Sequence, residues 1–155
     1  MTRVPVLPLT AEAFAPYGEV LAPPDNGRLD HVATLGNGRA DAKPNLFLAR
    51  SGLLALPHAF SRLECHPHSS QSFAPWGPAR IVLAVALRGG DGRPDPATLR
   101  GFLADNQGFS YRAGVWHLSV AALGQPAAVL GFMYEDGGPE DCVFADIEPS
   151  TLMLA

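Results

Sequence analysis

The sequence predicts an all-β domain, mainly antiparallel, closed into a barrel or jelly-roll sandwich and carrying one or two short helices. Short apolar or alternating runs recur between turn signals, at 45–50, 60–66, 81–87, 115–123 and 127–134. The chain has 155 residues with no internal repeat and no low-complexity linker, so residues 1–155 read as one domain. Apolar residues make up 47% and charged residues 17%, the balance of a chain that packs a core rather than one that stays disordered. A parallel α/β sheet would need more helices than the pattern supplies.

The first segment, Pro8 to Gly18, reads as one or two helical turns: Thr10 can cap, Glu12 suits the positive end, and Pro16 with Gly18 stops it. Residues 23–44 are rich in Gly, Asp, Asn and Pro and predict loops around at most a short strand near 31–35, bordering a pocket. The run 81–87 is continuously apolar, as in a strand buried on both faces. Gly89-Gly90-Asp91-Gly92 is a tight turn. After it, Asp95 as cap, Pro96 at the first position and Leu99, Phe102 and Leu103 as an apolar stripe predict a helix ending at Asp105-Asn106. Gly124-Gln125-Pro126 between two strand-like runs predicts a hairpin.

Charge and composition exclude several classes of function. The formal net charge is −4, Lys43 is the only lysine and no basic stripe exists, so nucleic acid is not an expected partner. The longest apolar run is too short to span a bilayer and no export signal opens the chain, so no membrane association is expected. Cys65 and Cys142 lie far apart without Cys-x-x-C spacing, which fits a reducing cytosol.

The residues that carry chemistry fall in two stretches. His66 and His68 are separated by one residue, so on an extended strand both point to one face, with Glu64 and Ser70 in the same parity. Gln71 follows, and Phe73, Pro75 and Trp76 supply apolar walls. The second stretch, Tyr111-Arg112-Ala113-Gly114-Val115-Trp116-His117, brings a histidine to the entrance of an apolar strand. His-x-His with a remote third His is a common cage for a divalent transition metal, because neutral imidazole suits zinc, nickel, iron and copper, so His66, His68 and His117 are candidate ligands, with Gln71 or Glu64 as a candidate fourth. The same pattern also describes an ordinary polar strand face, and both readings stand at this level. Tyr111 and Trp116 are core or pocket wall. Arg50 is either a surface strand end or a bidentate fork for a substrate carboxylate. Cys65 has the opposite parity to His66 and packs in the core rather than pairing as a nucleophile. The acidic residues around Gly137-Gly138-Pro139 read as a solvated loop.

Taken together, Leu9 to Val20, His66-Pro67-His68-Ser69-Ser70-Gln71-Ser72-Phe73-Ala74-Pro75, Pro94-Asp95 to Leu103, Tyr111 to His117 and Asp136-Gly137-Gly138 to Cys142 make the chain resemble the ureidoglycolate lyase family. The resemblance implies a cupin-type barrel, usually a homodimer, that cleaves ureidoglycolate to glyoxylate and urea in purine and allantoin breakdown. A requirement for nickel or another divalent metal such as zinc goes with it. His66, Gln71, Phe73 and His117 match the family motifs directly. The chain departs from them at Cys65, where members carry arginine, at Leu118-Ser119, where they carry His-Pro, and at Glu135-Asp136, where they carry Asp-Arg. His68 is an addition.

For such a reaction, His117 or His66 serves as base, Glu64 or a water as acid, Gln71 as orienter of the ureido group, and Arg50 or a metal as the grip on the carboxylate of a small-molecule substrate. Ser70, Phe73, Tyr111 and Trp116 complete the candidate substrate-binding set. Two alternatives remain from sequence: another metal-dependent cupin enzyme acting on a small carboxylate, and a non-catalytic ligand-binding cupin.

Overall fold

A computed structural model describes residues 1–31 and 34–155. Strand β1 spans Thr2–Pro8. Thr10 then accepts a hydrogen bond from the Ala13 N–H at 3.2 Å and caps the single-turn helix α1, Ala11–Phe14. β2 (Gly18–Leu21) follows directly, β3 is Lys43–Arg50, β4 Gly52–Leu54, β5 His58–Cys65, β6 Gln71–Pro75 and β7 Arg80–Ala86. The second half contains β8 (Arg100–Asp105), β9 (Gly108–Tyr111), β10 (Trp116–His117), β11 (Ala121–Leu123), β12 (Ala128–Glu135) and β13 (Val143–Leu154). The short strand expected near 31–35 includes residues 32 and 33, which lie outside the described residues.

The strands form two sheets. The larger has the order β10-β5-β13-β1-β8-β7-β11-β4, and β10 also pairs with β7, so six of its strands close into a ring. The second has the order β2-β9-β6-β12-β3. Pairing is antiparallel except for β1 with β13, β1 with β8 and β11 with β4, as the expectation of a mainly antiparallel all-β barrel requires.

β7 shows why both faces of its run are apolar. Ile81, Leu83 and Val85 join Phe14, Phe73, Phe102, Phe109, Tyr111 and Val129 in the layer between the ring wall and the second sheet. Val82, Ala84 and Ala86 join Val4, Phe60, Leu63, Cys65, Trp116 and Leu152 inside the ring. A period of two divides one strand between two cores.

Two sequence expectations are corrected. The helix expected from Asp95 is only a 3-10 turn at Pro96–Thr98: the Asp95 carboxylate does cap it, accepting from the Ala97 N–H at 3.0 Å, but the chain then extends as β8. Phe102 and Leu103, which looked like a helical stripe, face opposite sides of a strand: Phe102 packs in the layer between the sheets and Leu103 against the ring core. Pairing with β7 on one side and β1 on the other overrides the helical pattern. Gly124-Gln125-Pro126 makes no hairpin either, because β11 pairs with β7 and β4 while β12 pairs with β3 and β6; the turn carries the chain from one sheet to the other.

Candidate functional site

The site lies where the end of β5, the short β10 and the edge of the second sheet meet. Within the larger sheet, Glu64 is directly opposite His117 and Cys65 is opposite Trp116. Opposed residues share a face, so Glu64 and His117 point one way, and Cys65 and Trp116 point the other, into the ring core. On the second sheet Gln71 lies opposite both Tyr111 and Met133 and faces the same layer. The Tyr111 and His117 rings stack in parallel, with centroids 4.2 Å apart and planes 8° apart, and the His66 and His117 rings lie 5.3 Å apart.

The backbone fixes both imidazoles in one tautomer. His66 Nδ1–H donates to the Asp141 carbonyl at 2.6 Å, and His117 Nδ1–H donates to the Leu118 carbonyl at 3.3 Å. Each ring therefore leaves Nε2 outside that bond, and among the described residues both Nε2 atoms are buried without a protein partner. Among the described residues Gln71 Oε1 and the Tyr111 hydroxyl are buried and unpartnered as well. Groups of this kind cost free energy unless something satisfies them, and such unsatisfied atoms concentrated in one place mark a ligand site. Glu64 completes the group: Oε2 accepts from the Ser119 hydroxyl at 2.7 Å, and Oε1 lies 3.6 Å from His117 Nδ1.

Burial, and then the neighbouring His66, lower the pKa of His117 to about 3, so its imidazole stays neutral. Burial, and then the Glu64 charge, push the Tyr111 phenol well above its ordinary value. Cys65 is pushed up to about 11, chiefly by burial, and behaves as an inert core thiol, in keeping with its parity in the sequence.

The donor set fits a divalent metal. Glu64, His66 and His117 each offer one atom, and these atoms lie within 4.8 Å of one another. Two imidazoles and a carboxylate suit zinc, nickel or iron, and Asp141, Leu118 and Ser119 supply the outer partners that hold such ligands in orientation.

Several residues named from the sequence lie elsewhere. His68 does not join the group: the strand ends at Cys65, Pro67 opens a turn, and the alternation that would align His68 with His66 is lost, leaving His68 Nε2 3.0 Å from Glu140 Oε2 near the surface. Arg50 is exposed and five residues beyond the Asn45–Met133–Gln71 register, roughly 17 Å along β3. Trp116 packs in the ring core with its Nε1–H donating to the Gly92 carbonyl at 3.3 Å. Trp76, expected as a pocket wall, is 64% exposed, whereas Phe73 packs in the layer beneath the site. Ser70 Oγ accepts from the Gly36 N–H at 2.9 Å and borders a separate pocket of about 330 Å³ with Ser110 and Arg112. There Ser110 is bonded to Ser72 at 2.8 Å, so its hydroxyl is already engaged within the protein.

The sequence reading missed the support behind His66. The loop expected to be solvated holds Asp141, which accepts from the Asp136 and Gly137 N–H groups and from Arg39 Nη2 at 2.6 Å. Arg39 also bridges Asp136 at 2.8 Å and so ties the long 23–42 segment to this turn. An Arg and an Asp separated by about a hundred positions carry no local signal of that pairing.

Comparison with known proteins is consistent along the chain. The family profile described as ureidoglycolate lyase matches residues 1–152. A putative ureidoglycolate lyase of Agrobacterium fabrum is 36% identical over 148 residues, covering 92% of this chain and 90% of its own. The ureidoglycolate lyase of Burkholderia cepacia is 37% identical, covering 90% and 85%, and that of Escherichia coli is 32% identical, covering 99% of both chains. Among solved structures, a dTDP sugar isomerase of Desulfovibrio desulfuricans superposes with a TM-score of 0.51 at 16% identity, over 83% of this chain and 81% of that one, a likeness of fold alone. With the profile spanning nearly every residue and the motif histidines meeting at one buried point, this chain belongs to the ureidoglycolate lyase family.

Proposed function

We propose that this protein is a ureidoglycolate lyase that releases urea and glyoxylate from ureidoglycolate, acting in allantoin and purine breakdown in the cytosol. The observation that carries the reading is the meeting of Glu64, His66 and His117, whose donor atoms lie within 4.8 Å of one another, in a chain of this family. The reaction removes the substrate hydroxyl proton, breaks the carbon–nitrogen bond and protonates the departing ureido nitrogen.

Glu64 is the group suited to take the hydroxyl proton. It is an acceptor, its Oε1 accepts no hydrogen bond, and it keeps some contact with solvent to pass the proton on. His117, neutral down to about pH 3, is too weak a base for that step near neutrality and serves as a fixed lone-pair donor. Gln71 Oε1 accepts from the ureido N–H groups and orients the leaving group. Phe73, Phe109 and Tyr111 line the layer and exclude water. His66 and His117 would hold a divalent metal such as nickel or zinc, with Glu64 beside them as base, and the metal when bound would supply Lewis acidity at the hydroxyl and positive charge for the carboxylate. That charge is needed because Arg50 is distant and Arg39 is committed to Asp136 and Asp141.

The proposal includes a homodimer. β3 is the terminal strand of its sheet, and its Leu46 and Leu48 are 65% and 66% exposed, beside half-buried Leu130 and Phe132 on the same face. Apolar edges of this kind are normally covered, and a second copy of the chain is the occupant we assign.

Elemental analysis of the purified protein coupled to urea and glyoxylate assays tests the function. Stoichiometric divalent metal with release of both products is expected, and His117→Ala loses both. Absence of urea from ureidoglycolate under metal-replete conditions overturns the reading.

A further inference from the structure

We propose that Asn26 is a site of spontaneous covalent modification, its amide converting to aspartate and isoaspartate through the Gly27 nitrogen, while the fold shields the same dipeptide at Asn37-Gly38. This chemistry is separate from the lyase reaction and needs no metal. Of the four asparagines, Asn26 and Asn37 alone precede a glycine. A glycine follower favours it, because no Cβ stands between the backbone nitrogen and the neighbouring side-chain carbonyl. Both pairs lie in the long segment between β2 and β3, and both asparagines are exposed, so sequence and accessibility rank them equally.

Hydrogen bonding separates them. Among the described residues, the stretch from Ala22 to Asp30 donates and accepts no backbone–backbone hydrogen bond, which leaves this loop free to open. Gly27 has a φ of +74°, and a Cβ built there would meet nothing within 4 Å, so its nitrogen is open to approach. Asn37 is held at both ends of its amide. Its Oδ1 accepts from the Arg39 N–H at 3.1 Å, and its Nδ2 donates to the Ala42 carbonyl at 3.4 Å. The Gly38 N–H donates to the His68 carbonyl at 2.7 Å, beside an antiparallel bridge between Asn37 and Ser69. The Arg39 side chain anchors the stretch again on Asp136 and Asp141.

In the step, the Gly27 nitrogen gives up its proton and attacks Asn26 Cγ. The new Cγ–N bond closes a succinimide ring, the Cγ–Nδ2 bond breaks, and the side-chain nitrogen departs with that proton as ammonia. Water then opens the ring: cleavage at Cγ gives aspartate, and cleavage at the main-chain carbonyl gives isoaspartate. Either product adds one negative charge to a chain whose formal net charge is −4. At Asn37 the same closure requires Gly38 to release His68 and the amide to release Arg39 and Ala42, three hydrogen bonds in all. Each is worth roughly a factor of two to ten, so the folded chain should slow this site by about 10²-fold relative to Asn26.

Trypsin cuts after Arg3, Arg28 and Arg39, which places Asn26 in the peptide 4–28 and Asn37 in the peptide 29–39. The whole protein is held in mildly alkaline buffer, with circular dichroism confirming that it stays folded, and both peptides are followed by mass spectrometry for the amide-to-acid gain. The 4–28 peptide should convert about 10²-fold faster than 29–39, and in denaturant the two rates should converge. Asn26→Gln should abolish the gain in 4–28 and leave 29–39 as it was. Equal rates at the two sites in the folded protein, or an Asn26 rate that rises on unfolding as much as the Asn37 rate does, overturns the proposal.

Discussion

His117 couples the site to the pH dependence of folding. From about pH 6.5 downward the unfolded chain binds a proton at this imidazole, while the folded chain holds it neutral until about 3, through burial and then His66. The unfolded state therefore binds more protons across that window, and stability is full above it and falls as pH drops from about 6.5 toward 3. Denaturant midpoints measured in chelator-treated protein should show this decline, and His117→Gln should flatten it. Asp141 adds a second acid-sensitive contribution: burial alone would raise its pKa, but the Asp136 N–H, the Arg39 guanidinium and the Gly137 N–H together hold it below the ordinary value. Its contribution is present above the unfolded pKa and lost as pH falls through the lowered one. In the core, Phe109 has no exposure and touches both Phe73 and Tyr111, so Phe109→Ala should cost about 3–5 kcal/mol in equilibrium unfolding.

Elements fail or hold for reasons of pairing. β8 accepts β1 and β7 on its two sides, and a Cβ built on Gly101 would meet the Pro5 carbonyl at 2.8 Å and Leu152 Cδ2 at 2.9 Å. Gly101→Ala should thus wedge β1 from β8 and destabilise by about 1–3 kcal/mol, seen as faster amide exchange along β1. The clasp of Arg39 on Asp136 and Asp141 makes a parallel case: Arg39→Met should raise exchange at Asp136 and Gly137 and lower urea release, because the Asp141 carbonyl that fixes the His66 tautomer loses its anchor. These elements also mark what the letters could convey. The Thr10 cap, the doubly buried run of β7 and the face taken by Cys65 were legible because each depends on neighbours in sequence. β8 was not, since Phe102 and Leu103 fit a helical stripe until β1 and β7 flank them. His66 and His117 were legible as motif residues, whereas Glu64 as the third donor in place of His68 depended on the strand ending at Cys65.

At the scale of the whole molecule, the ring of six strands forms one core and the second sheet lies over its wall, with the site at one end of the intervening layer. The outer face of that sheet, with Leu46 and Leu48, is the surface on which the proposed dimer depends. Light scattering should give twice the 16.4 kDa chain mass, and the double change Leu46→Glu with Leu48→Glu should give single chains. The ring itself is closed by only the two residues of β10, which pair on one side with β5 and on the other with β7. One of the pair, Trp116, plugs the interior of the ring, and the other, His117, belongs to the proposed site. A thermal fluctuation that unzips this short seam would breach the tryptophan-filled interior and scatter the reactive groups in the same event, so tryptophan emission would report the fraction of molecules competent for turnover.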